Sequence, residues 1–270
     1  MGVAAVAARL GIEVRDAALV REPALASWLR AESVDLVLNV HSLHLVHGDV
    51  VQAPRIGSFN LHPGPLPTYP GLNAPSWGIY DRASTYGCTL HWMDAGIDTG
   101  PIAYAANFPI GDRDTGLTLT TRCVREGLPL LARLLDDAAG GAARRIPRVE
   151  QEGERIERGP GPPHEGRSPW SLPAERIAAF VRACDYGPFP SPWGRVRVTL
   201  DGAELGVTRA RAVAAEAPPG VQPGEVLRVE DNDVLVAAGE RTVLRISRLE
   251  VDGAARAAAD VVGRRPRFSA

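Results

Sequence analysis

The chain has 270 residues, 45% hydrophobic and 23% charged, the profile of a globular protein long enough for about two domains of ~100–200 residues each. Its net charge is −2 and all 30 basic residues are arginine; without a lysine, Schiff-base and phosphate-loop lysine chemistries are excluded, and without a basic block there is no electrostatic footprint for nucleic acid. No run of about 18 apolar residues occurs and no basic leader opens the chain, so no membrane span or signal peptide is expected and the cytoplasm follows.

Residues 3–10 look like the end of a helix, and Gly11-Ile-Glu-Val-Arg15 like a short strand. Glu22–Ala31 reads as a helix with Leu25, Trp28 and Leu29 on one face, and Val34–Val40 as a buried strand. His41, His44 and His47 follow at intervals of three; that reach does not make a ligand set and no carboxylate stands beside them, so no metal is expected. A second strand spans Ile56–Leu61, and the Pro/Gly-rich segment after it must be a shaped loop. Asn73–Tyr80 opens a helix whose Trp77 and Tyr80, three apart, face the core.

Cys88–Met93 and Ile102–Ile110 read as strands, which makes Cys88 a core position; with Cys123 and Cys184 it belongs to a sparse set of free thiols suited to a reducing compartment. Asp114 or Thr115 caps a helix running to about Ala138, with Pro129 kinking it or starting a second segment. Composition then shifts to Arg, Glu, Gly and Pro, giving a linker over residues 146–170 between a domain at 1–145 and another at 171–270. The second begins with a helix carrying Ile177, Phe180, Val181 and Cys184 on one stripe. Strands follow at Val196–Leu200, Glu225–Val229, Val234–Val236 and Val243–Val251, the set expected of a small barrel.

The chemistry concentrates between Phe59 and Pro101. Asn60 and His62, two apart on a strand, point to the same side, and Asp98 lies in the turn after the Cys88–Met93 strand. Two strand ends of one sheet can bring the three together as a set suited to acyl transfer: an amide donor for an oxyanion, an imidazole for a proton, and a carboxylate to orient the imidazole. The competing reading is that Asn60 and His62 merely satisfy backbone groups at a strand end.

Asn60-Leu-His62-Pro, with Leu66-Pro67 and Gly71 behind it and Asp98-Thr99-Gly100 further on, resembles the signature of the 10-formyltetrahydrofolate-dependent formyltransferases, a family that includes methionyl-tRNA formyltransferase-like enzymes of one-carbon metabolism. The resemblance covers nearly the whole chain. It implies an α/β fold with a Rossmann-like, mostly parallel sheet and a small OB-like C-terminal barrel. It implies 10-formyltetrahydrofolate as donor, no metal, and a primary amine as acceptor. It makes Asn60, His62 and Asp98 catalytic, and His41, Ser42, Leu43, Gly64, Leu66, Pro67, Asp94 and Gly96 the residues that line or support the folate pocket. Two departures stand out: Gly64 replaces the usual loop serine, and Pro70 stands where many relatives carry a basic residue. The turn Asp185–Gly194 also differs from that of the transfer-RNA enzymes. Family members carry some sixty or more residues before the Val34–Val40 region that are not recognisable here; the expectation is a start further upstream, with apolar strand edges exposed in this chain. Three readings stay open: a small or carrier-bound amine such as an amino sugar or aminoacyl intermediate as acceptor, methionyl-tRNA as acceptor, and a non-catalytic folate- or partner-binding remnant.

Overall fold

The computed structural model describes residues 2–42, 44–140, 145–263 and 267–269. The chain forms two compact units, the first made of Met1–His62, Cys88–Ala106 and Gly127–Glu154, the second of Pro63–Gly87, Asn107–Glu126 and Arg155–Ala270.

The first unit begins with helices α1 (Val3–Arg9) and α2 (Ala24–Ala31), strand β1 (Leu36–Val40), the short helix α3 (Gly48–Val51) and strand β2 (Gly57–His62). Strands β3 (Thr85–Trp92) and β4 (Ile102–Pro109) complete a sheet ordered β1-β2-β3-β4. β1 runs parallel to β2 and β3 antiparallel to it. Alternation along β2 buries Phe59 and Leu61 with Leu90, Trp92 and Leu134, while Asn60 and His62 turn to the opposite side. Each fully buried large side chain there contributes about 1.5–3 kcal/mol. α2 buries Ala26 and Leu29 against Val50 and Ala53. At the edge strand β1, Leu38 and Val40 are exposed.

The expected strand at residues 11–15 is not formed. The segment has no ladder partner and its Ile12 and Val14 are exposed, and β-branched residues alone do not make a strand without a neighbour to pack on. Helix α5 (Gly116–Ala139) is a single helix with Pro129 inside it, so the proline does not start a second segment.

In the second unit, helix α4 (Ala74–Tyr80) is wholly buried and packs with α6 (Ala174–Ala183), whose Ile177, Phe180 and Val181 form the expected stripe. Trp77 and Tyr80 meet edge-on at 5.8 Å, a core contact. Strands β5 (Val196–Leu200), β6 (Ala203–Glu216), β7 (Val226–Glu230), β8 (Asp233–Ala237), β9 (Thr242–Val251) and β10 (Ala254–Ala257) form one antiparallel sheet, ordered β5-β6-β9-β8-β7 with β10 on β9, before helix α7 (Ala258–Val262). The segment 267–269 bridges both ends of that order, Ser269 to Thr199 and Arg267 to Glu225, with Phe268 buried between. β6 has no counterpart in the sequence reading, because its Ala- and Arg-rich run shows little alternation and its pairing with β9 shifts register three times. Residues 155–166 carry only one 3-10 turn, yet they are tied to α4: Asn73 donates to the Pro160 carbonyl at 2.8 Å, Arg158 pairs with Asp81, and the His164 ring meets the Tyr80 hydroxyl at 2.8 Å.

Candidate active site

The first unit assembles a buried polar cluster on the side of β2 opposite its core. Register places Asn39 of β1 and His91 of β3 on either side of Asn60. Asn39 Nδ2 donates to Asn60 Oδ1 at 3.0 Å, which fixes the Asn60 amide with its nitrogen facing the other way. That nitrogen donates to Asp98 Oδ1 at 3.0 Å and lies 3.1 Å from His91 Nε2. His62 Nδ1 stands 3.4 Å from Asp98 Oδ2, and His91 Nε2 stands 3.3 Å from Asp98 Oδ1. Asp98, only 9% exposed, is a carboxylate held between two imidazoles and an amide, the company a buried charge requires.

The proton positions follow from the acceptors. His91 Nδ1 lies 2.7 Å from the Trp92 carbonyl, which can only accept, so Nδ1 carries a hydrogen. With a neutral ring, His91 Nε2 accepts one Asn60 hydrogen while the other goes to Asp98. With a protonated ring, Nε2–H donates to Asp98 and one Asn60 hydrogen is released.

The turn that presents Asp98 is over-determined. Asp98 itself adopts φ 54°, a left-handed conformation that Asp tolerates better than bulkier residues. Asp94 Oδ1 accepts from the Gly96 amide at 3.0 Å and from Thr99 Oγ1 at 2.6 Å, closing the turn. A Cβ on Gly100 would collide with the Trp92 carbonyl oxygen, so the close approach of turn and strand requires glycine there. Gln151 Nε2 clamps the same turn, donating to the Asp98 carbonyl at 3.0 Å and the Gly100 carbonyl at 2.8 Å.

Asn60, His62 and Asp98 are thus brought together, and Asp94 and Gly96 support Asp98 through the turn. His41, with φ 55°, and Ser42 follow β1; the Ser42 hydroxyl accepts from the His44 amide at 3.1 Å. Leu43 lies outside the described residues. His47 caps α3, its Nδ1 accepting from the Asp49 amide at 3.2 Å. Gly64, Leu66 and Pro67 belong to the second unit, in a loop whose Leu66–Pro67 bond is cis and whose Tyr69 packs on Tyr86 at 5.2 Å. Among the described residues no group of three or more His, Cys, Asp or Glu side chains could hold a metal ion, and no helix is long and apolar enough to cross a membrane.

Three members of the cluster escaped the sequence reading. Asn39 was visible as a polar residue inside Leu36–Val40, and His91 as one inside the alternating Cys88–Met93 run; what was missing was the register that puts both beside Asn60. Gln151 sits in the stretch read as linker, and nothing in its neighbours marks it.

The same chain matches the family described as formyl transferase over residues 4–135 and that family's C-terminal domain over residues 162–265. It is 30% identical over 264 residues to the methionyl-tRNA formyltransferase of Anaeromyxobacter dehalogenans strain 2CP-C, covering 96% of this chain and 81% of the relative. The chain belongs to the formyl transferase family. Membership places it among enzymes that transfer formyl groups. A second relative, the methionyl-tRNA formyltransferase of Chlamydia trachomatis serovar A, is 31% identical over 235 residues, 87% of this chain and 72% of that one. Among solved structures, an N-formyltransferase from Helicobacter canadensis in complex with folinic acid and dTDP-3-aminofucose shares the fold at a TM-score of 0.62 and 15% identity, over 91% of this chain and 82% of that one. HypX from Aquifex aeolicus in complex with tetrahydrofolic acid does so at 0.56 and 19%, over 90% and 41%. The α/β fold with a separate antiparallel C-terminal sheet is therefore the formyltransferase fold.

Proposed function

We propose that this member of the formyl transferase family moves a formyl group from 10-formyltetrahydrofolate to the primary amine of a small or carrier-bound acceptor, with Asn60, His62 and Asp98 as catalytic residues. The convergence of Asn60 and His62 on the buried Asp98 carries the reading. The donor set fits the donor: an amide, an imidazole and a carboxylate answer the needs of a formyl carbon under attack, and two solved proteins of this fold, an N-formyltransferase and HypX, are described in complex with folinic acid and tetrahydrofolic acid. When bound, 10-formyltetrahydrofolate supplies the activated formyl group.

The chain's own residues do the rest. Asn60 Nδ2–H stabilises the negative charge on the former formyl oxygen. Asp98 accepts from His62 Nδ1–H, and His62 Nε2 takes the proton of the attacking amine and returns it to the leaving nitrogen of the donor. Charge on His62 is stabilised by Asp98 throughout. Gly64, Leu66 and Pro67 shape the loop that follows His62 in the chain, and His41 and Ser42 border the folate. Residues 1–145 carry the catalytic work, 171–270 the barrel and 146–170 the connection; the family matches over residues 4–135 and 162–265 support a chain in two parts.

A small acceptor is supported by the near-neutral charge of the chain and by Pro70, which offers no cation to an anionic acceptor. Methionyl-tRNA is the second reading, favoured by the curated relatives. Calorimetric titration with a stable formyl-tetrahydrofolate analogue tests the donor site. Assaying release of tetrahydrofolate in the presence of nucleotide-linked amino sugars or methionyl-tRNA then separates the acceptors. Turnover with methionyl-tRNA alone overturns the small-amine assignment; a folded chain that does not bind the analogue overturns the transferase mechanism.

A further inference from the structure

The second unit holds a cavity of about 400 Å³ whose walls have no part in the cluster around Asp98. It is lined by the end of α4, the turn before β3, the segment after β4, and α6. Arg82, Arg176 and Arg182 all reach it, together with Ser84. Among the described residues these arginines make no ion pair. Arg182 Nη1 donates to the Asp114 carbonyl at 3.0 Å, Arg176 lies over the Tyr80 ring at 4.6 Å, and Arg82 occupies a left-handed turn at φ 58°.

Two carboxylates share the walls, Asp81 and Asp112. Asp81 is already engaged by Arg158, outside the cavity lining. Within the walls three guanidiniums face two carboxylates, an excess of one positive charge. Burial holds the Arg182 guanidinium below the ordinary arginine range; Arg82 adds to the depression, while Asp112 and Asp114 work against it. A partly desolvated cation beside like charges gains most from an anion brought close to it. Guanidinium forks match phosphate oxygens bidentately, and three of them can serve more oxygens than a single carboxylate offers.

We infer that this cavity is a binding site for a phosphate group, either the free dianion or the terminal phosphate of a monoester. It is independent of the acceptor assignment, since no residue of the candidate active site lines it.

The test titrates the full chain with inorganic phosphate against chloride at matched ionic strength and follows the thermal midpoint. Phosphate is expected to raise the midpoint with an apparent Kd of about 1 mM. Arg82→Gln removes an exposed arginine and is expected to weaken binding about tenfold, and Arg182→Lys, which keeps the charge but loses the fork, to weaken it by less. Phenyl phosphate binding as well as phosphate identifies an esterified group as acceptable; phosphate alone binding identifies the free ion. No midpoint change beyond that in chloride, or equal affinity in the parent and Arg82→Gln, overturns the site.

Discussion

At the scale of single residues, the cluster around Asp98 makes separable predictions. An oxyanion donor is worth ~3–4 kcal/mol, so Asn60→Ala should lower kcat for formyl transfer about a hundredfold or more, and Asp98→Asn should be at least as damaging. Near-parental turnover in either variant removes that residue from the mechanism. In the proposed mechanism His91 acts through Asn60 and Asp98 as a positioning residue. His91→Asn should cost about tenfold in kcat with little change in KM. Gln151→Ala breaks two hydrogen bonds to the Asp98 turn, so urea unfolding should show a loss of about 2 kcal/mol at the usual ~1 kcal/mol per bond. An unchanged midpoint would show that the turn stands without its clamp.

At the scale of elements, the contacts between α4 and residues 155–166 replace regular structure with side-chain ties. Asp81 anchors them and is held above the usual carboxylate range, chiefly by burial, with Arg158 opposing the shift. A group whose folded value exceeds its unfolded value of 3.8 contributes stability in full below that value and loses it as pH rises through the folded value. The melting temperature of the parent relative to Asp81→Asn should therefore be most favourable at the acid end and decline as pH rises from about 4. A difference that grows with pH would mean that Arg158, rather than burial, dominates the environment of Asp81. The same element scale explains the misread segments. β6 is held by its neighbours β5 and β9 rather than by its own alternation, and residues 11–15 lack the partner that would make their β-branched residues a strand.

At the scale of the molecule, Cys88, Cys123 and Cys184 are all buried and outside any disulfide, and burial pushes the Cys184 thiol up to about 12. The native chain should therefore react slowly with a thiol reagent and all three thiols should become reactive on unfolding, as a chromogenic thiol titration would show. Fast modification of the folded chain would place at least one of them at an accessible site. Local pattern carried most of the element order and three central residues of the cluster, because a period of two and a Pro/Gly loop are written in consecutive residues: Asn60 and His62 share a face for a reason that needs no neighbour. Asp98 could be named because it follows a readable strand by a short turn. Asn39, His91 and Gln151 could not, since they reach Asn60 and Asp98 only through strand register and a crossing segment some fifty residues downstream of the turn, and those depend on how distant parts of the chain pack. The sequence by itself determined which groups could do acyl-transfer chemistry. Only the tertiary structure decided which hydrogens those groups have left to offer, because a hydrogen bond is settled by atoms within about 3 Å whatever their separation along the chain.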